Sequence, residues 1–126
     1  MINQACPGWA ELVEAGVTSG PVAEAAVACY LDPVLGAGAD TLVLGCTHYP
    51  FLRHLISARA GAQVAIIDPA GAVARQVVAL TGETVASGGR GSLRLLTTGH
   101  PGQTRHTVRE LTGIDRPVIA VTLAEE

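Results

Sequence analysis

Residues 40–50 read DTLVLGCTHYP, and the fold is organised around this stretch. The apolar run Thr41–Leu44 predicts a strand, and the helical pattern that begins at Phe51 predicts a helix directly after it. Cys46 lies in the turn between them, where backbone N–H groups are unpaired and the helix dipole is positive. A thiol in this position ionises more easily, and His48 is close enough to exchange a proton with it.

The residues alone leave other interpretations of Cys46 open. A single cysteine at the end of a strand is commonly a small buried hydrophobic residue without reactivity. A thiol or metal protein is a further alternative, but Cys46 and His48 offer at most two ligands on one tight turn. Zinc takes three or four protein ligands, so a metal site is not favoured.

The composition predicts one modest α/β core. The chain has 126 residues, of which 48% are hydrophobic and 15% charged. Apolar strands alternate with helical patterns, which predicts a parallel sheet with flanking helices. The net charge of −3 and the lack of a basic patch argue against a nucleic-acid partner. No apolar run approaches the roughly 20 residues that a membrane helix needs, so no membrane association is predicted.

The cysteines and basic residues predict the compartment and exclude one cofactor. Cys6, Cys29 and Cys46 are odd in number and widely spaced, which is not typical of a disulfide framework. The first residues have no secretory pattern, and we therefore expect a reducing cytoplasm. All eight basic side chains are Arg. Without Lys, the chain cannot form the Schiff base of a pyridoxal enzyme.

The remaining elements follow from periodicity and turn residues. We expect the end of a strand at Met1–Ala5, a core position for Cys29, and a helix end or kink at Pro33. Asp68 is predicted to form a turn or cap. His100 and His106 are predicted to be surface residues, and residues 83–92 are predicted to form a loose loop. The other predicted helices lie near residues 7–16, 21–31, 73–80 and 101–111. The other predicted strands lie near residues 64–67, 93–98 and 117–123.

The motif GCTHYP at residues 45–50, with DTLVL before it, resembles the second catalytic-cysteine motif of the glutamate racemases. The segment from Ala5 to Gly16 resembles the same family. The resemblance implies a partial copy of a two-domain α/β fold. Residues 1–67 would be part of the second domain, and residues 68–126 the returning segment of the first. It also implies a cofactor-independent enzyme that interconverts L- and D-glutamate for peptidoglycan.

The resemblance also implies roles for individual residues. Cys46 would be one of two acid–base cysteines and would face the α-proton of L-glutamate. Thr47 would donate hydrogen bonds to the substrate, His48 would assist Cys46, and Glu14 would orient or polarise that pair. From the residues alone, Glu14 could equally be a solvated helix carboxylate. Cys6 is expected to be structural, because the family does not use that position for chemistry.

Other features of the family are absent from the chain. The Asp-Ser motif and the first cysteine, which precedes Asn-Thr, have no match in residues 1–126. The chain therefore looks like the C-terminal half of a racemase, with the N-terminal half as its missing partner. A truncated protein, a truncated gene model and a naturally split protein are all open.

Two further expectations follow from the missing half. The isolated chain is predicted to be inactive, and exposed apolar surface predicts aggregation or a homo-oligomer. The alternative function is a non-catalytic α/β module that keeps the motif but binds a partner.

Overall fold

The computed structural model describes residues 1–81 and 91–123. The chain divides into two compact units, Met1–Val85 and Ala86–Glu126. The elements of the first unit are α1 Trp9–Glu14, α2 Gly20–Gly36, β1 Thr41–Val43, a 3₁₀ helix Tyr49–Leu52, α3 Arg53–Ala60, β2 Ala65–Ile67 and α4 Ala70–Thr81. The elements of the second unit are β3 Leu95–Thr97, α5 Pro101–Thr112 and β4 Val118–Ala120.

Each unit contains a pair of parallel strands with helix between them, which confirms the predicted α/β class. In the first unit Leu42 pairs with Ile66, and the 3₁₀ helix and α3 connect the two strands. In the second unit Leu96 pairs with Ile119 across a connection that contains α5. Parallel strands need such a crossover, because a tight turn can join only antiparallel neighbours.

The core of the first unit lies between α1, α2, α3 and the end of β1. The buried apolar residues are Trp9, Val13, Ala23, Val27, Leu31, Val34, Leu44, Leu52 and Ile56. The four from α2 recur at helical spacing and form a single inward face. Beside this core, the carboxyl end of β1 delivers the chain to the turn that contains Cys46.

Replacing Leu52 with Ala tests this core. Leu52 is fully buried, so the substitution should lower the free energy of unfolding by about 2–5 kcal/mol. Leu80→Ala is the matched control, because Leu80 is 78% exposed on α4 and should change stability by less than about 0.5 kcal/mol. Urea unfolding followed by circular dichroism gives both values. Equal losses would contradict this location of the core.

The expected core position of Cys29 in α2 is wrong. Cys29 is exposed, because it lies off the inward face that Val27 and Leu31 share. Of the two alternatives for Pro33, a helix end is also wrong, since α2 continues to Gly36 and the Pro33 carbonyl accepts the Ala37 N–H at 3.1 Å, while a kink stays a prediction. A proline removes one donor, but its carbonyl still accepts normally.

The terminal segment and β2 also differ from expectation. Residues 1–6 form no strand, because a strand needs a neighbour to pair with its backbone. The apolar residues 64–67 predict a parallel strand covered by helices on both faces, and for β2 that prediction is wrong. Ile66 is half-buried, while Ile67 and its β1 partner Val43 are exposed.

Other expectations are confirmed. An Asp68 carboxylate oxygen accepts the Ala70 N–H at 2.9 Å at the start of α4, and His100 and His106 are both exposed. Most of the predicted loop at 83–92 lies outside the described residues. The expected division into domains at residues 67 and 68 concerns a complete two-domain enzyme and stays a prediction.

Candidate active site

Cys46 lies just after β1. The sheet continues to Leu44, whose N–H donates to the Ile67 carbonyl at 2.9 Å. The chain then turns, and the Tyr49 N–H donates to the Cys46 carbonyl at 3.2 Å as the 3₁₀ helix begins. Cys46 lies in this turn, as the strand–turn–helix pattern predicted, and its side chain is partly buried. The helix start is a short 3₁₀ segment rather than the predicted α-helix.

Backbone N–H groups in the turn stabilise the Cys46 thiolate. The pKa of Cys46 lies below its ordinary value of 9.0. The largest cause is a hydrogen bond from the His48 backbone N–H. The His48 side chain and charge and the Tyr49 N–H act in the same direction, while partial burial opposes them. The turn therefore favours the form of the thiol that can accept a proton.

His48 lies between Cys46 and Glu14. Its Nδ1 is 3.7 Å from the Cys46 Sγ, and its Nε2 is 2.7 Å from the Glu14 Oε1. The hydrogen bond with Glu14 is the main reason why the pKa of His48 is raised from 6.5, followed by the contact with Cys46. When the imidazolium forms, both nitrogens donate, one to the carboxylate and one to the sulfur.

The structure brings together three of the four residues that the sequence singled out. Cys46, His48 and Glu14 form a continuous chain of contacts, although Glu14 and His48 are 34 positions apart. The Glu14 and His48 side chains are 59% and 30% exposed, so the pair is open to solvent. Thr47 is exposed beside Cys46.

The sequence interpretation missed the aromatic surroundings of this site. The Tyr49 ring lies edge-on against Trp9, with 4.9 Å between ring centroids. Trp9 makes a second edge-on contact with Tyr30. One indication was available in the sequence, because the chain has only one Trp, two Tyr and one Phe. Three of these four rings lie in one cluster.

A cavity of about 840 Å³ lies beside the turn. Cys6, Trp9, Asp40, Cys46 and Tyr49 are among its lining residues. His48, Glu14 and Thr47 do not line it. Of the three residues in the chain of contacts, only Cys46 therefore lines the cavity.

Residues 1–81 and 91–123 contain no group of three or more His, Cys, Asp or Glu side chains placed to hold a metal ion. In the same residues, none of the helices combines the length and the apolar character required to cross a bilayer.

Curated relatives of the chain are glutamate racemases. The chain is 49% identical over 104 residues to the enzyme of Herpetosiphon aurantiacus, an alignment that covers 80% of this chain and 41% of the relative. It is 47% identical over 103 residues to an enzyme of Pseudomonas putida, an alignment that covers 80% of this chain and 39% of that relative. The chain thus spans about two fifths of the length of these relatives. No protein-family model matches it.

Solved structures of glutamate racemases have the same fold. The structure from Bacillus anthracis is 30% identical with a TM-score of 0.85, covering 95% of this chain and 46% of its own. The structure from Thermus thermophilus, in complex with beta-chloro-D-alanine, is 37% identical with a TM-score of 0.81. This match covers 95% of the present chain and 47% of the Thermus thermophilus chain. This chain is therefore a homologue of part of the glutamate racemases and shares the α/β fold of their solved structures.

Proposed function

We propose that this chain supplies one of the two acid–base cysteines of a glutamate racemase, and that Cys46 is the base for L-glutamate. The observation that carries the proposal is the contact chain Cys46–His48–Glu14, found in a chain almost half identical to glutamate racemases. A solved racemase from Francisella tularensis, 24% identical and with a TM-score of 0.81, holds D-glutamate. Its likeness supports the fold alone.

In the proposed reaction the Cys46 thiolate removes the α-proton of L-glutamate. The thiolate becomes a thiol, and the electron pair of the broken C–H bond stays on the substrate as a carbanion. His48, held by Glu14, stabilises the thiolate before the transfer. Thr47 hydrogen-bonds to the amino or carboxylate group of the substrate. The chemistry uses no cofactor, and the chain has no Lys that could form a Schiff base.

A second cysteine must deliver a proton to the opposite face of the carbanion. A single residue would return the proton to the face from which it came. Neither remaining thiol of the chain matches the family's first cysteine, because Asn-Thr follows neither Cys6 nor Cys29. We infer that the second cysteine lies in the part of a racemase that this chain does not cover. The isolated chain is then inactive.

The same proposal covers the domains and the cellular role. Residues 1–67 belong to the second domain of the complete enzyme, and residues 68–126 return to the first. The product D-glutamate serves peptidoglycan synthesis in the cytoplasm. The free thiols at all three cysteines support a reducing compartment.

Complementation tests the proposal. The complemented enzyme is residues 1–126 mixed with the part of the Herpetosiphon aurantiacus racemase that does not align with them. We expect racemisation of L-glutamate, followed by circular dichroism, from this mixture and none from either part alone. General acid–base groups contribute about 10²–10⁴-fold each, so loss of one removes detectable turnover.

Two results would contradict this function. Turnover by residues 1–126 alone would mean that a second cysteine is not needed. No turnover by the mixture, with the complete relative active in the same assay, would favour a non-catalytic binding module. One observation favours that alternative, since α4 exposes Val73, Val77, Val78 and Leu80, an apolar surface that a partner could cover.

A further inference from the structure

Trp9 is the buried anchor between α1 and its neighbours. It is only 3% exposed, and its indole N–H donates to the Ala26 carbonyl of α2 at 3.0 Å. Its ring meets Tyr49 edge-on at 4.9 Å and 71°, and Tyr30 at 6.3 Å and 72°. Edge-on pairs at such distances are favourable because the positive ring edge points to the negative face of its neighbour.

Tyr49 connects this anchor to the turn that carries the thiol. Its backbone N–H donates to the Cys46 carbonyl and also lowers the pKa of the Cys46 thiol. Its side chain and the Cys6 thiol, just before α1, influence each other's pKa. The ring contact with Trp9 therefore joins the turn to α1.

The two ends of α1 contact two adjacent residues of the turn. Trp9 begins the helix and packs on Tyr49, while Glu14 ends it and bonds to His48. An exposed carboxylate–imidazole pair is too weak to fix its own geometry against solvent and side-chain freedom. A buried aromatic contact between the same two segments can do so.

We propose that Trp9 and Tyr49 are positioning residues whose edge-on contact holds the Cys46–His48 turn in register with Glu14. The catalytic consequence rests on the proposed racemase function, but the positioning itself does not. The titratable groups that act on this region are His48 on the same turn, Glu14 on α1 and Cys6 before α1. Tyr49 acts on Cys46 through its backbone N–H.

Alkylation of Cys46 by iodoacetamide across a pH series, resolved by peptide mass spectrometry, tests the proposal on the intact 126-residue chain. In Tyr49→Leu and Trp9→Leu, we expect the Cys46 profile to move to higher pH. Alkylation near neutral pH should then slow by about three- to tenfold, because less thiolate forms. Tyr49→Phe and Trp9→Phe keep a ring in place and should restore most of the rate. Exposed Cys29 is an internal control whose rate should not change.

Tyr30→Leu is the matched control, because it removes the other ring that contacts Trp9 without touching the turn. Its Cys46 profile should be unchanged. Circular dichroism establishes that each variant is folded. If Trp9→Leu does not fold, the Tyr49 variants still test the proposal, because Tyr49 is only half-buried. A folded Tyr49→Leu chain with an unchanged Cys46 profile would overturn the proposal. Equal shifts in Tyr30→Leu, or a Tyr49→Phe variant that behaves like Tyr49→Leu, would also overturn it. Alkylation is measured without racemisation, so a failure of the complementation experiment would not contradict this positioning role.

Discussion

Replacing Cys46 with Ala should abolish racemisation in both directions in the complemented enzyme. In the proposed reaction each direction uses this residue once, as the base from L-glutamate and as the acid from D-glutamate. Removal of one acid–base group costs about 10²–10⁴-fold, and inversion has no route without a proton donor on each face. Circular dichroism of each enantiomer over time measures the loss. Cys29→Ala is the matched control, because Cys29 is an exposed thiol of the same chain and should not affect activity.

The two half-reactions of the Cys46→Ala enzyme should differ. The second cysteine can still exchange the α-proton of D-glutamate with solvent, slowly and without inversion. Exchange from L-glutamate should vanish, because no base is left on that face. Deuterium incorporation from heavy water into each enantiomer separates these cases. Exchange into L-glutamate would place Cys46 on the wrong face, and full racemisation would make it a structural thiol.

Replacing His48 with Asn should give the next largest loss, about 10²–10⁴-fold in kcat from L-glutamate. Asn cannot carry the positive charge that stabilises the thiolate 3.7 Å away. The acidic limb of the pH–rate profile should therefore move to higher pH, since the pKa of Cys46 loses the side-chain and charge contributions of His48. The His48 backbone N–H remains and limits the shift. An unchanged profile would mean that the imidazole does not act on the thiol.

The Glu14→Gln variant should lose less activity than His48→Asn. It removes the carboxylate charge, and we expect about a two- to fivefold loss, because the pair is exposed and therefore weak. The pKa of His48 should fall towards 6.5, since the bond to Glu14 is the main reason that it is raised. A ¹³C or ¹⁵N NMR titration of the imidazole measures it directly. A larger loss than His48→Asn would show that Glu14 acts on the substrate rather than through His48.

These shifts also make stability depend on pH. The raised pKa of His48 contributes stability that is complete below 6.5 and is lost as pH rises through the folded value. The lowered pKa of Cys46 contributes stability that is complete above 9.0 and is lost as pH falls through the folded value. Both groups are partly exposed, so solvent screening keeps these contributions small.

The sequence by itself determined the α/β class and the location of the thiol. Alternating apolar runs and helical patterns are local properties, and they placed β1, β2 and α3 to within a few residues. The DTLVLGCTHYP stretch likewise located Cys46 in a turn between strand and helix, because turn chemistry depends on neighbours along the chain. The resemblance of the segment from Ala5 to Gly16 to the glutamate racemases pointed to Glu14 as the residue that would orient or polarise Cys46 and His48.

Only the tertiary structure decided which side chains are covered and which touch. Cys29 belongs to an apolar helix, yet packing of α2 through Ala23, Val27 and Leu31 leaves it exposed. The contact of Tyr49 with Trp9 joins residues 40 positions apart, and no local pattern encodes it. Burial and long-range contacts depend on how helices pack across the sheet, where side chains distant in sequence compete for one interior. That packing brought α1 against the Cys46 turn and so set the Glu14–His48 distance of 2.7 Å.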